Sequence, residues 1–186
     1  MQRARSAPRA IPRNALATER LVLEPVSHAH DDALLAAAVA SLHELEPWMP
    51  WAAAATPATQ REFTSRALAD WEAGRAFHFA ICESGTAAGV IGMTRLSGHG
   101  EAEISYWLHS DHVGRGLVTE AASRLLTWSR NVAGIRRVIL NAGVDNVRSL
   151  AVAGRLGFTR DGTLDGGMDG GRGMFAAYRH HLDLTS

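Results

Sequence analysis

The apolar positions of this chain follow a helical spacing first, a strand spacing in the middle, and an alternation of the two towards the end. Arg20 to Val26 alternates over a short run and reads as an opening strand, with Pro25 at an edge or bend. Ser27 is placed to cap a helix whose first turn carries Asp31 and Asp32 and whose apolar positions are Leu34, Leu35, Ala38 and Val39. Trp48-Met-Pro-Trp51, with prolines at 47 and 50, cannot lie inside a helix and is expected to be a loop that either plugs the core or walls a cleft. Thr56-Pro57 is an N-cap followed by proline at the first helical position, and Phe63, Ala67 and Trp71 continue that helix at a spacing of four until Gly74. From Ala76 the period becomes two. The runs 76–83 and 88–96 read as a hairpin, and Glu101 to Leu108 as a third antiparallel strand. On that strand Glu103, Ser105 and Trp107 share one face, and Ile104, Tyr106 and Leu108 the other.

The later pattern is a crossover. A helix follows Gly116 to about Asn131, a continuously apolar strand spans Arg137 to Asn141, and a helix opens at Asp145-Asn146 and ends at Leu156 with Gly157 behind it. Residues 158–164 read as a strand, 165–173 with five glycines as a loop, and 174–184 as a closing strand. The order is mixed α/β in one domain, 14–186, behind a basic tail, 1–13, expected to be disordered. Composition narrows the function. The 19 basic and 19 acidic residues cancel, which excludes the charge footprint of a dedicated nucleic-acid binder. No apolar run approaches a membrane span, and the single cysteine, Cys82, lies in a strand-like run as a small buried hydrophobe, so a cytoplasmic protein is expected. Among nine histidines the close pairs 28/30, 109/112 and 180/181 match no zinc spacing, so no metal is expected.

One stretch carries chemistry by its backbone: Val113-Gly114-Arg115-Gly116-Leu117-Val118-Thr119 joins a strand to a helix. Glycines there permit a tight turn, and the helix start offers unpaired N–H groups and the positive end of its dipole, a seat for phosphate. A triphosphate loop of the G-x-x-x-x-G-K-(S/T) kind is excluded, since neither lysine nor the Ser/Thr follows the second glycine.

With Thr18-Glu-Arg-Leu-Val-Leu23, Trp48-Met-Pro-Trp51, Ile104-Ser-Tyr-Trp-Leu108 running into Gly114–Ala121, and Asp145-Asn-Val-Arg-Ser149 followed by Arg155-Leu-Gly-Phe158, the chain resembles the GNAT acyltransferase superfamily, and within it the RimJ/RimL ribosomal-protein N-terminal acetyltransferases. The resemblance implies a mixed, mostly antiparallel sheet flanked by helices and splayed open beside the third hairpin strand. Acetyl-CoA would lie in the opening, with its pyrophosphate on the amides of residues 113–119 and its thioester near Leu108. Two positions depart from the superfamily's (Gln/Arg)-x-x-Gly-x-(Gly/Ala) pattern, Val113 at the first and Val118 at the last.

The resemblance also implies the chemistry: acetyl transfer from acetyl-CoA to an amine, of a protein N-terminus or a small molecule, directly in a ternary complex. A backbone N–H at Trp107 or Leu108 would meet the oxyanion. Many superfamily members carry a leaving-group tyrosine where Ala153 stands here, and the branch this chain resembles uses the serine of Asn-x-x-Ser, Ser149. Asn146 would bond the pantetheine arm or cap its helix. The alternative for Ser149 is a small residue at a helix–strand contact. Glu103 is the candidate base, with Asp165 and Asp169 as rivals, and Trp48, Trp51, Arg95 and Tyr106 are expected on the acceptor side. A homodimer is compatible with such families. The alternative of another class is a CoA-binding module without catalysis, which Val113, Val118 and Ala153 keep open.

Overall fold

In the computed structural model, which describes residues 11–97, 100–131 and 135–184, the elements follow the predicted order with additions. A two-residue strand β1 (Leu16–Ala17) precedes β2 (Leu21–Pro25). Ser27 caps a single 3-10 turn, His28–His30, that leads into α1 (Asp31–Ala40), a short α2 (Leu42–Leu45) and α3 (Pro57–Glu72). Thr56 caps α3 as expected, its hydroxyl accepting from the Thr59 N–H. Next come β3 (Ala76–Glu83), β4 (Thr86–Arg95), β5 (Glu101–Leu108), α4 (Leu117–Ser129), β6 (Arg137–Gly143), α5 (Val147–Arg155) and β7 (Thr159–Thr163).

The stretch expected to be a loop, 165–173, is in part a small hairpin, β8 (Met168–Gly170) with β9 (Gly173–Phe175), and the closing strand proper is β10 (Ala177–Asp183). Three residue pairs suffice for it, too few for a period to show in so glycine-rich a run. Residues 1–10 of the expected tail lie outside the described residues. Its last three are bound to the body: Trp71 Nε1 donates to the Ile11 carbonyl at 3.1 Å, and Arg13 donates to the Val26 carbonyl at 2.9 Å.

Eight strands form one sheet in the order β1-β2-β3-β4-β5-β6-β10-β7. Every neighbouring pair is antiparallel except β5 and β6, which run parallel and pair only over Glu101–Arg137, Ala102–Val138 and Glu103–Ile139. Beyond Glu103 the two strands continue without pairing. This is the splay; α4 supplies the crossover that a parallel pair requires, leaving the end of β5 and returning to the start of β6. On one side of the sheet α4 buries Leu117, Ala121, Ala122 and Leu125 against Phe77, Phe79, Ile91, Met93, Val138 and Leu140. A smaller cluster, with Val26, Leu34, Ala67, Ala80 and Val90, joins α1 and α3 to the other side. The alternation Phe77/His78/Phe79/Ala80 on β3 distributes its residues between the two. Burial of these two apolar layers holds the sheet rigid while its central pair diverges.

Candidate functional site

The diverging ends of β5 and β6 bound a cleft of about 760 Å³, closed at its sides by the starts of α4 and α5. One end of it is the turn 113–119. Gly114 and Gly116 both take φ +77°, the left-handed region that a side chain disfavours, and Gly116 is the N-cap of α4 without any side-chain cap. The first helical bond runs from the Glu120 N–H to the Gly116 carbonyl, so the N–H groups of Leu117, Val118 and Thr119 have no acceptor within the helix. Val113, Gly114, Gly116, Leu117, Val118 and Thr119 all line the cleft. Thr119 adds a hydroxyl that is buried without a hydrogen-bond partner. A buried orphan beside a row of free amides is the kind of site a phosphorylated ligand completes.

Arg115 is the exception, since its side chain is not among those lining the cleft. Its guanidinium is held in a two-point clamp on Glu83, at 2.9 and 2.6 Å. Those bonds, with a further one from His112 at 2.8 Å, hold the Glu83 carboxyl below its usual range. A second clip lies on the other flank. Arg20 donates to the Arg115 carbonyl at 2.9 Å and pairs with Glu120, whose Oε1 also accepts from Thr18 at 2.6 Å. Burial works to raise the Glu120 pKa, and the bonds from Thr18 and Arg20 together outweigh it and leave it lowered. Charge at the turn is thus spent on bracing, and the amides of residues 117–119 are left to face the cleft. Val118 is half-buried and packs partly into the core, which limits the crowding its side chain could cause.

The period-two alternation of the β4–β5 ladder decides which amides of β5 face the gap. The His109 N–H donates to the Ala88 carbonyl at 2.7 Å, so Trp107 and Ser105 also direct their N–H groups to β4. Leu108 and Tyr106 direct theirs towards β6, where no strand pairs with them. Of the two amides expected to serve an oxyanion, that of Leu108 is aimed into the opening.

Asn146 is the N-cap of α5, its Oδ1 accepting from the Ser149 N–H at 3.1 Å, so the capping role weighed for it is realised, and both residues line the cleft. The Ser149 hydroxyl meets the Tyr106 hydroxyl at 2.8 Å. Burial pushes the Tyr106 phenol up to about 12, with the Ser149 bond pulling weakly the other way. Glu103, the last residue of β5 to pair with β6, accepts from Asn141 Nδ2 at 3.1 Å and stands at the base of the splay. Asn141 Oδ1 is buried without a partner. Asp165 and Asp169, also weighed as bases, are exposed and do not line this cleft.

Trp48 lies against Phe175 edge to face, centroids 5.4 Å apart, and over Gly143, where an added Cβ would stand 2.5 Å from its Cζ3. Trp51 lines an adjoining cavity of about 460 Å³ between α3 and the sheet, with its ring 5.6 Å from Trp107. Met49, Ser105, Tyr106 and Trp107 line both spaces. The loop is therefore a partition, with one tryptophan on each side. Arg95 corrects the expectation made for it. It pairs with Ala102 at the end of β4 far from the Gly89–Leu108 pair, donates to the Gly74 carbonyl at 2.9 Å, lies over the Phe77 ring and lines neither cavity.

Sequence reasoning missed Asn141 and Phe175. A polar residue in an apolar strand, and a lone aromatic at the end of a glycine run, were the signals available for them. It also missed that Glu24, His30 and Cys82 bring ligand-type atoms within 4.8 Å of one another. That trio is already satisfied: His30 Nδ1 accepts from the Ser27 N–H and its Nε2 lies 3.1 Å from Glu24, while burial pushes the Cys82 thiol up to about 11.

The chain is similar to several known proteins. It is 28% identical over 126 residues to YdaF of Bacillus subtilis (strain 168), covering 62% of this chain and 66% of that one. It is 35% identical over 92 residues to the ribosomal-protein-serine acetyltransferase of Escherichia coli (strain K12), covering 49% and 51%. The chain thus spans just under two thirds of the first relative and about half of the second. Its fold matches Mycobacterium smegmatis RimJ in complex with CoA-disulfide at a TM-score of 0.85 and 22% identity, over 92% of this chain and 88% of that one. The family described as Acetyltransferase (GNAT) domain matches residues 20–159, which span the turn, the splayed strands and the Asn146–Ser149 cap, and the chain belongs to that family.

Proposed function

We propose that this protein is an acetyl-CoA-dependent N-acetyltransferase working in the cytosol, with a protein-type amine as acceptor. The observation that carries the reading is the splay of β5 from β6, facing the amides of residues 114–119 and the orphaned Thr119 hydroxyl. These residues fit a CoA pyrophosphate at one end and leave the Leu108 N–H at the other, where a thioester carbonyl gathers charge. Family membership and the ribosomal-protein acceptor of the E. coli relative support the acceptor class.

The chemistry follows from the groups present. A thioester supplies an acetyl carbon open to attack, so the protein's task is to manage two protons and one developing charge. An α-amine has a pKa near ~8, so a useful fraction is neutral at physiological pH. As the C–N bond forms, its nitrogen becomes acidic enough for a carboxylate to take its proton. Glu103 is held for this by Asn141 on one oxygen, and its other oxygen has no partner among the described residues. Ser149, fixed by the Asn146 cap, offers a hydroxyl to the leaving sulfur. Acceptors reach the same point from the side of Trp51 and Trp107, since the two cavities meet at Ser105 and Tyr106. Direct transfer predicts intersecting two-substrate kinetics; parallel lines in a ping-pong pattern would contradict it. Binding of acetyl-CoA by calorimetry, followed by its transfer to N-terminal peptides, tests the reading. Tight CoA binding with no transfer would instead favour the inactive binding module.

A further inference from the structure

We infer that Tyr106 is a positioning residue for the leaving group: by donating to Ser149 Oγ, its phenol turns the Ser149 proton into the cleft to meet the departing sulfur. The inference rests on the acetyltransferase reading above. Three observations lead to it. Ala153, one turn beyond Ser149 on α5, is buried in the core, so that position offers the leaving group no polar side chain. The Ser149 hydroxyl, one helical turn earlier, meets a phenol that comes instead from β5, at 2.8 Å across the splay. Ser149 has one proton to give, and among the described residues Tyr106 is the only group bonded to its hydroxyl. If Ser149 donated to Tyr106, that proton would be turned away from the cleft. With Tyr106 as donor it is free to point in.

The bond arithmetic balances without a proton leaving either residue. The nitrogen–carbon bond forms, the carbon–sulfur bond breaks, and sulfur takes the bonding pair. The proton that nitrogen gives to Glu103 is returned to sulfur through solvent, so amine and acetyl-CoA become amide and CoA thiol. A phenol pushed up to about 12 will not protonate a thiolate, whose conjugate acid ionises near ~8.5. Hydrogen bonding therefore wins over proton transfer, and the pair stabilises the thiolate as an anion. Tyr106 also lines both cavities, so the same ring marks where acceptor and thioester meet.

The test uses the full chain with CoA bound and follows thiolate absorbance in the ultraviolet as pH rises, against the CoA-free protein. In the wild type the bound CoA thiol is expected to ionise roughly one pH unit below free CoA. Tyr106→Phe and Ser149→Ala should each return it towards the free value, and the double variant should go no further. In Tyr106→Phe kcat should fall about tenfold while the CoA Kd stays within about twofold. A bound thiol that still ionises at the wild-type pH in Tyr106→Phe, or losses that add in the double variant, would overturn the assignment. A shifted thiol with no acceptor acetylated would uphold the Tyr106 assignment and sink the transferase reading. Failure of the wild type to bind CoA would overturn both.

Discussion

Glu103 and Asn141 form the smallest unit of the site, a carboxylate and the amide that holds it. Asn141 Nδ2 fixes one carboxylate oxygen, while its own Oδ1 is left buried and without a partner. Glu103→Gln removes the proposed proton acceptor at nearly constant shape. We expect kcat to drop roughly a hundredfold with the CoA Kd unchanged, read by steady-state kinetics beside calorimetry. A variant that loses CoA affinity instead would make Glu103 a structural residue. At this scale the sequence was informative where a role is local. Asn146 and Ser149 are three apart in a capping arrangement, and their contact is the cap itself. Tyr106 and Ser149 are 43 residues apart, and Asn141 and Glu103 are 38 apart, so no spacing along the chain announces either pair. Arg95 was misplaced for the opposite reason. It lies on the strand beside β5, but at the end that the antiparallel register carries away from the splay.

Among the elements, the turn before α4 depends on braces drawn from distant strands. Glu83 at the end of β3 clamps Arg115 and His112, and Arg20 at the edge of β2 clamps Glu120 and the Arg115 carbonyl. Glu83→Ala should leave the fold intact and free Arg115, weakening acetyl-CoA binding by roughly three- to tenfold, because misplacement of presenting amides costs on the order of one kcal/mol. An unchanged Kd by calorimetry would show that the two glycines set the turn alone. Gly143 tests the opposite wall. A methyl group there collides with Trp48, so Gly143→Ala should cost about 1–3 kcal/mol by overpacking and raise the KM for the acceptor. Denaturant unfolding and kinetics read the two effects separately. The hairpins, the crossover and the Thr56-Pro57 helix start were legible because each has its own period or cap. The β8–β9 hairpin, which brings Phe175 to Trp48, was not, since three residues a side among five glycines carry no period.

For the whole molecule, the buried Asp31–Thr64 contact ties α1 to α3 and sets an acid limit. Burial acts to raise the Asp31 pKa, but bonds from Thr64, His28 and Gln60 outweigh it and leave it lowered. A carboxyl lowered in the fold contributes stability that is present above its unfolded pKa, near ~4, and lost as pH falls through the lower folded value. Melting curves of Asp31→Asn should therefore flatten between about pH 5 and pH 3 relative to the wild type. Asp31→Ala would leave the fully buried Thr64 hydroxyl without its acceptor, at a cost of about 1–3 kcal/mol. Equal acid sensitivity in wild type and Asp31→Asn would contradict this account of the contact. The two apolar layers do the rest: they keep the sheet rigid around a central strand pair that opens after three residues, and the opening is where the chemistry is proposed.

That proposal is tested most directly by following a labelled acetyl group from acetyl-CoA into N-terminal amines of a ribosomal-protein mixture, with Glu103→Gln and Ser149→Ala run beside the wild type. The account predicts saturable transfer by the wild type, a loss of roughly a hundredfold in Glu103→Gln, and a smaller loss in Ser149→Ala at undiminished acetyl-CoA binding. Saturable binding of acetyl-CoA with no labelled amine, or transfer that both variants perform as well as the wild type, would contradict it.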